Sequence, residues 1–354
     1  MRTNIIQLLF SFSMILSWMF IPTLAKDLGA SNLQVGLIGA SYGVSIFISS
    51  YIFGRASDMW GRKIFITLGL GLCALSFLLQ VLAKDILSLA ALRFIVGFTV
   101  GISTAPLIAY VFETGEKMGK FSSYGSLGWA LGNILAGIIA VYWQLFTISS
   151  VFFLIAFAIS IHLPPSEHQK VRIPIFPKEV IKRNFRVYFS YFLRNTGASS
   201  IWTIFPLFLL DIGASKFWIG MIYFMNSGFQ VIIMRYVDRY SDTRLINAGL
   251  LISTFVFLGY SVATDYRQVM PLQIFLAFSW SCLYVGSLLY MTHRNVERAT
   301  SVGMLTSVIS ISGAFGPILG GIISQLYGYR EVMVFAAFLS IIGFFISAVG
   351  RRSP

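Results

Sequence analysis

The sequence predicts an all-α integral membrane protein: twelve transmembrane helices arranged as two pseudo-symmetric six-helix bundles. Three observations lead there. Of 354 residues, 57% are hydrophobic and only 11% are charged, which is too apolar for a water-soluble chain of this length. Apolar runs of about 20 residues, long enough as helices to cross a roughly 30 Å hydrocarbon core, recur from end to end. The ten residues DLGASNLQVG at 27–36 return as DIGASKFWIG at 211–220, an offset of 184.

The expected spans are 4–24, 34–53, 64–83, 87–110, 121–142, 145–163, 187–209, 217–236, 246–264, 269–291, 300–325 and 332–349. The first resembles a secretory signal peptide, with a basic start and PTLA at its end. The repeat argues instead for a retained helix, because the 184 offset pairs Trp18 with Trp202, Pro22 with Pro206, Asp27 with Asp211 and Gly36 with Gly220. Span two carries Tyr42. The loop after it, GRASDMWGRK, aligns Arg55, Ser57 and Asp58 with Arg239, Ser241 and Asp242.

Span three is apolar, span four holds Arg93, Gly97 and Gly101, and span five carries Gly125, Gly128, Gly132, Asn133 and Gly137. Span six is almost purely apolar. Residues 164–186 form the long polar stretch between the two copies, expected as a cytoplasmic linker with a short surface helix at 177–184. The domains are therefore 1–163, the linker 164–186, and 187–354.

In the second copy, span seven carries Arg194 and Trp202, and span eight carries Asn226 and Gln230 one turn apart. Span ten presents Gln273, Trp280 and Tyr284 on one face. Span eleven repeats the glycine pattern in Gly313, Gly316, Pro317, Gly320 and Gly321, and span twelve is again apolar. Glycines three or four residues apart make a smooth helix face for close packing, and Pro317 removes a backbone bond where the helix can bend. One constant offset aligns six spans with six, so the copies are parallel repeats about the membrane normal.

With the amino terminus inside, 19 of the 26 Lys and Arg fall in cytoplasmic segments, 5 in outer loops and 2 within spans. That bias places both termini in the cytoplasm. The net charge of +13 then belongs to topology and anionic headgroups, and no nucleic-acid partner is expected. Cys73 and Cys282 lie mid-span without metal or disulfide spacing. No metal or other cofactor is expected.

Gly54, Asp58, Gly61, Arg62 and Lys63, between spans two and three, resemble the signature loop of the major facilitator superfamily. Arg93, Gly97 and Gly101 in LRFIVGFTVG resemble its second motif, and GSLGWALGNILAG and GAFGPILGG its glycine-rich packing motif. Asn133 stands where the antiporter version has proline, which Pro317 supplies in the second copy. The resemblance covers essentially the whole chain and implies a secondary transporter working by alternating access.

The loops also have a physical reading: a carboxylate can cap the positive end of another helix. Asp58 would address the start of span eleven near Thr300 and Ser301, and Asp242 the start of span five near 119–122. With Arg55, Arg62, Lys63 and Arg239 they form candidate conformational latches.

Gln7, Ser11 and Trp18 share a face of span one. With Tyr42, Asn133, Trp202, Asn226, Gln230, Trp280 and Tyr284 they are the candidate lining of a central cavity, or else helix-packing groups. Arg93 and Arg194, candidates for the same cavity, are costly within a membrane; Arg93 is placed in the interior, whereas Arg194 could also snorkel to the inner headgroups. The carboxylates fall in loops or at helix ends, Glu113 lying closest to a span, so no catalytic constellation can be assembled and no enzyme is expected.

The same absence argues against a standard proton symporter, though a coupling ion such as H+ belongs to the resemblance. Expected is a monomeric, multi-pass plasma-membrane protein with a small-molecule substrate. Efflux of a drug or metabolite is the first reading, uptake of an organic anion the second, and a non-transporting receptor the third.

Overall fold

A computed structural model describes residues 2–116, 118–164, 178–237, 240–295 and 298–348. They form α1 (Arg2–Trp18), α2 (Ile21–Asp27), α3 (Asn32–Trp60), α4 (Arg62–Leu79), α5 (Ile86–Glu113), α6 (Met118–Ile139), α7 (Tyr142–Ile161), α8 (Lys178–Asp211), α9 (Lys216–Val237), α10 (Asp242–Val262), α11 (Tyr266–Arg294), α12 (Arg298–Leu326) and α13 (Tyr329–Ala348). Ten membrane-crossing candidates by length and composition occur among the described residues. The two further long helices, α6 and α8, pack among them, α6 on α1 and α8 on α12.

The first expected span is two helices, α1 and α2, meeting at Met19–Phe20, because Pro22 sits in the first turn of α2 and has no N–H to continue the ladder. Its repeat mate Pro206 stays inside an unbroken α8. The surface helix expected at 177–184 is not separate: its described part is the first turns of α8, which runs through to Asp211. Residues 165–177 lie outside the described residues. Several helices exceed the expected spans, α8 and α3 most clearly, because polar end turns keep helical hydrogen bonds outside the hydrocarbon.

Packing repeats with the sequence. In the first bundle α1 packs on α6 and α7, α3 on α5, and α4 on α5 and α7; in the second, α8 packs on α12 and α13, α9 on α11, and α10 on α11 and α13. The bundles meet through α3 with α12 and α6 with α9, also a matched pair. The outer helices α4, α7, α10 and α13 carry exposed Leu75, Leu154, Phe255 and Phe338, as lipid-facing supports would.

A buried cluster joins the bundles, with Leu16, Met19 and Ala136 packed in one core with Ile201, Ile204 and Phe205. We call the face where α1 begins and α13 ends the near face, and its opposite the far face. Both turns of the repeated decapeptide lie on the far face.

Candidate functional site

The repeated turn builds the far face twice. Gly29 (φ +86°) and Gly213 (φ +88°) occupy the left-handed region, where a β-carbon would be strained. Ser31 then caps α3, accepting from Gln34 N while Gln34 Oε1 accepts from Ser31 N, and Ser215 accepts from Trp218 N at 3.4 Å. One turn on, Gly36 lies against Gly321 and Gly220 against Gly137. A β-carbon on Gly36 would stand 2.9 Å from Gly321 Cα, and one on Gly220 2.7 Å from Gly137 Cα. The two backbones therefore touch across both seams.

Two further crossings lie deeper along the seams. Gly43 still rests on the Gly313 carbonyl, and Asn133 Nδ2 reaches Ser227 Oγ at 3.1 Å between α6 and α9. At Gly54 and Gly228, no described atom of the opposite bundle lies within 4 Å of a β-carbon built there. Among the described residues, the hydrogen bonds and glycine contacts that cross between the bundles lie at the far face and at mid-depth.

The other glycines work within bundles. Gly97 and Gly101 seat α5 against Ser45 and Ser49 of α3, and Gly128 and Gly132 seat α6 against Leu8, Phe12 and Ile15 of α1. Gly316 and Gly320 do the same for α12 against Ser199 and Ser200 of α8. Gly313 differs, since a β-carbon on it would meet nothing within 4 Å; it supplies backbone for Gly43 to pack on. Pro317 lies inside α12 and packs on Gly39.

Both intramembrane arginines turn inward within their own bundles. Arg93 is 2% exposed, gives Nη1 to Gln80 Oε1 at 3.1 Å, and lies 4.4 Å over the Tyr42 ring. Gln80 in turn gives Nε2 to Ser17 Oγ at 3.0 Å. Arg194 is also 2% exposed; its Nε donates to Ser253 Oγ at 2.8 Å, and its guanidinium lies between the rings of Phe257 and Trp280 at 5.4 and 5.2 Å. It therefore does not snorkel to the headgroups. Each cation is held by neutral oxygen and aromatic faces, the environment in which cation–π contacts are strongest.

The remaining candidates fall into separate groups. Gln230 donates to Asn226 Oδ1 at 2.7 Å, and Asn226 to the Gln273 carbonyl at 3.3 Å. Asn226 adjoins Ser227, so this group continues into the Asn133 crossing. Trp280 stacks on Tyr284 at 5.8 Å, Trp18 faces Trp129 at 6.4 Å, and Trp202 packs on Tyr223 at 5.2 Å. Gln7 lies against Gly125 and donates weakly to Ser11 at 3.4 Å.

At the near face, Arg62 is buried. Its Nε and Nη2 both reach Glu113 Oε1, at 3.0 and 2.9 Å, and Nη1 reaches Ser57 Oγ at 2.7 Å. Gly61 (φ +93°) makes the break between α3 and α4, and Lys63 follows in the first turn of α4. The side chains of Arg55, Asp58 and Thr300, and residue Arg239, lie outside what is described. Among the described residues Asp242 bonds not the start of span five but Arg294 of its own bundle, at 3.2 and 3.3 Å, and takes Thr243 N at 2.6 Å. Arg294 lies at the end of the neighbouring α11.

Sequence reasoning missed the partners: Ser17, Gln80, Ser253 and Ser227. Serine and glutamine are common in these helices, and nothing in one dimension marks which of them faces a cation. Among the described residues, no group of three or more His, Cys, Asp or Glu could hold a metal ion.

The family model described as Major Facilitator Superfamily matches residues 3–187 and 187–354. The chain is similar to an MFS-type transporter of Methanocaldococcus jannaschii, at 24% identity over 90% of this chain and 89% of that one. It is similar to multidrug resistance protein 2 of Bacillus subtilis, at 25% identity over 94% and 90%. Among solved structures it is similar to a bacterial homolog of the human lysosomal transporter Spinster in its inward-facing, occupied conformation. There the TM-score is 0.80 at 14% identity, covering 100% of this chain and 96% of that one.

Proposed function

The chain belongs to the Major Facilitator Superfamily, and from that premise we propose that it exports a drug-like compound or metabolite by alternating access. Its transported class is an uncharged or weakly charged aromatic molecule. The observation that carries this reading is that both buried cations are engaged inside their own bundles. The polar groups of α9 beside the α6 seam, Asn226 and Gln230, are neutral, as are the aromatic candidates Trp280, Tyr284 and Trp18. Such groups favour flat, weakly polar solutes through stacking and a few hydrogen bonds. The relation to multidrug resistance protein 2 of B. subtilis supports the outward direction.

In this reading the bundles, 1–163 and 187–354, rock about the two far-face glycine seams. Both termini and the segment 164–186 are cytoplasmic, so the near face opens to the cytoplasm and the far face is the outer gate. The protein acts as a monomer in the plasma membrane. An anion transporter needs a cation at the binding centre, and Arg93 and Arg194 supply none in this state.

The test is transport by the purified protein in energised proteoliposomes, with a panel of matched neutral, cationic and anionic aromatic dyes. Export of neutral or weakly charged dyes is expected. Movement of the anionic members alone, or of none, overturns the proposal.

A further inference from the structure

The repeated decapeptide does more than turn the chain. Lys216 opens α9 and Asn32 opens α3, and they are repeat mates at the offset of 184. Each crosses to the opposite bundle. Asn32 Nδ2 donates to the Ser324 carbonyl at 3.1 Å, and Lys216 Nζ reaches the Ala140 carbonyl at 3.5 Å. Ser324 and Ala140 are themselves repeat mates, so the two crossings are equivalent.

A tyrosine then completes each one. Lys216 Nζ donates to Tyr142 Oη at 3.1 Å and lies 4.3 Å from the centre of that ring. Tyr142, the first residue of α7, passes its hydroxyl hydrogen to Asp27 Oδ2 at 2.5 Å. On the other seam Tyr329, the first residue of α13, donates to Asn32 Oδ1 at 3.5 Å. Gln325 Oε1 accepts from Asn32 N at 2.9 Å. One crossing is thus a charged chain from ammonium to hydroxyl to carboxylate, and the other is neutral.

The backbone is shaped for the charged crossing. Ala140 takes φ 52°, the one non-glycine residue in the left-handed region among those described. That conformation is unfavourable for a residue that carries a β-carbon. The turn it makes ends α6 and puts the Ala140 carbonyl and the Tyr142 ring on the same ammonium.

We propose that Lys216 and Asn32 are the gating residues of the outer face, an asymmetric pair in which Lys216, through Tyr142 and Asp27, is the stronger. They hold the far seams shut while the near face is open, and both crossings must break for the solute to leave. This rests on the alternating-access reading, since only a rocking motion gives the crossings two states. Charge-assisted bonds are about twice as strong as neutral ones, so losing Lys216 shifts the population toward outward-open more than losing Asn32.

The test reads accessibility directly. Thr203, buried in α8 beside Gly39, is replaced by cysteine in a chain whose Cys73 and Cys282 are changed to serine. Labelling from outside by an impermeant thiol reagent is timed in sealed vesicles. Lys216→Met should raise the rate about tenfold, a population shift of about 1.4 kcal/mol, with Asn32→Ala raising it less and Lys216→Arg leaving it near wild type. The exchange Asn32→Lys with Lys216→Asn should return the rate to within about twofold of wild type, which a merely structural lysine would not do. If Lys216→Met does not fold, Tyr142→Phe removes the hydroxyl link alone and should give a smaller rise in the same direction.

A wild-type rate in Lys216→Met, or in Tyr142→Phe where that variant stands in, overturns the proposal, as does an exchange that labels as fast as Lys216→Met. Dye export is measured on the same proteins. Export with unchanged labelling sinks the gate and leaves the transport reading, whereas altered labelling without export does the reverse.

Discussion

Arg62 and Glu113 are joined by a two-pronged ion pair in which Nε and Nη2 of the arginine rest on one carboxylate oxygen, at 3.0 and 2.9 Å. The side chains are only 10% and 18% exposed, so the pair is shielded from screening. It ties the start of α4 to the end of α5, and through Ser57 to the end of α3.

Glu113→Gln should therefore lower stability in detergent by about 1–3 kcal/mol, the usual loss when a charged hydrogen-bond partner is removed from a buried group. Arg62→Gln combined with Glu113→Gln should cost less than the sum of the single changes, because the second substitution removes the charge the first left unpaired. Thermal melts of the three variants decide it; additive losses would show that the pair is not coupled.

The far seams make a contrast between glycines. A β-carbon on Gly220 would stand 2.7 Å from both Gly137 Cα and the Asn133 carbonyl, with no side chain able to yield. Gly220→Ala should cost about 1–3 kcal/mol as overpacking and should slow transport by holding the seam apart. Gly313→Ala meets open space, and should be neutral or gain up to roughly 1 kcal/mol from the better helix former. Equal effects of the two substitutions on melting and dye export would refute the seam geometry.

For the buried cations, Arg93→Gln leaves the Gln80–Ser17 pair without its cation. It should cost about 1–3 kcal/mol of stability and weaken neutral and anionic solutes by the same factor. Binding of matched analogues to wild type and variant tests this. A selective loss of the anion would place Arg93 at the solute instead.

Sidedness is checked by single cysteines at Ser215, on the far face, and Lys120, on the near face. An impermeant reagent applied to intact cells should label the first and not the second, and the reverse pattern would invert the orientation.

Much of the architecture was legible in one dimension. Helix length against bilayer thickness marked the spans, and a repeat offset of 184 marked two bundles, since gene-scale repetition copies packing faces together with sequence. Three-to-four spacing puts Gly128 and Gly132 on one side of a helix, and in the structure that side lies against Leu8, Phe12 and Ile15 of α1. Gly313 read the same way, yet needs no smallness: spacing reports the face, while the local distance between backbones decides whether a side chain fits.

The arginines show the division most plainly. Depth in the membrane follows from counting residues along a helix, and it placed Arg93 and Arg194 within spans, with Arg194 near enough to the inner end to snorkel. Azimuth and neighbours do not follow, so a reading that placed both in a shared central cavity met a structure in which each points into its own bundle. Gln80 and Ser253 are their partners because three helices converge there, and convergence is a property of packing that no single helix encodes. The sequence by itself determined a membrane chain, its two-fold internal repeat and the turn written twice. Only the tertiary structure decided that the first residue of the helix after each turn, Asn32 and Lys216, crosses to the opposite bundle. A hydrogen bond depends on a few ångströms between segments more than 70 residues apart in the chain.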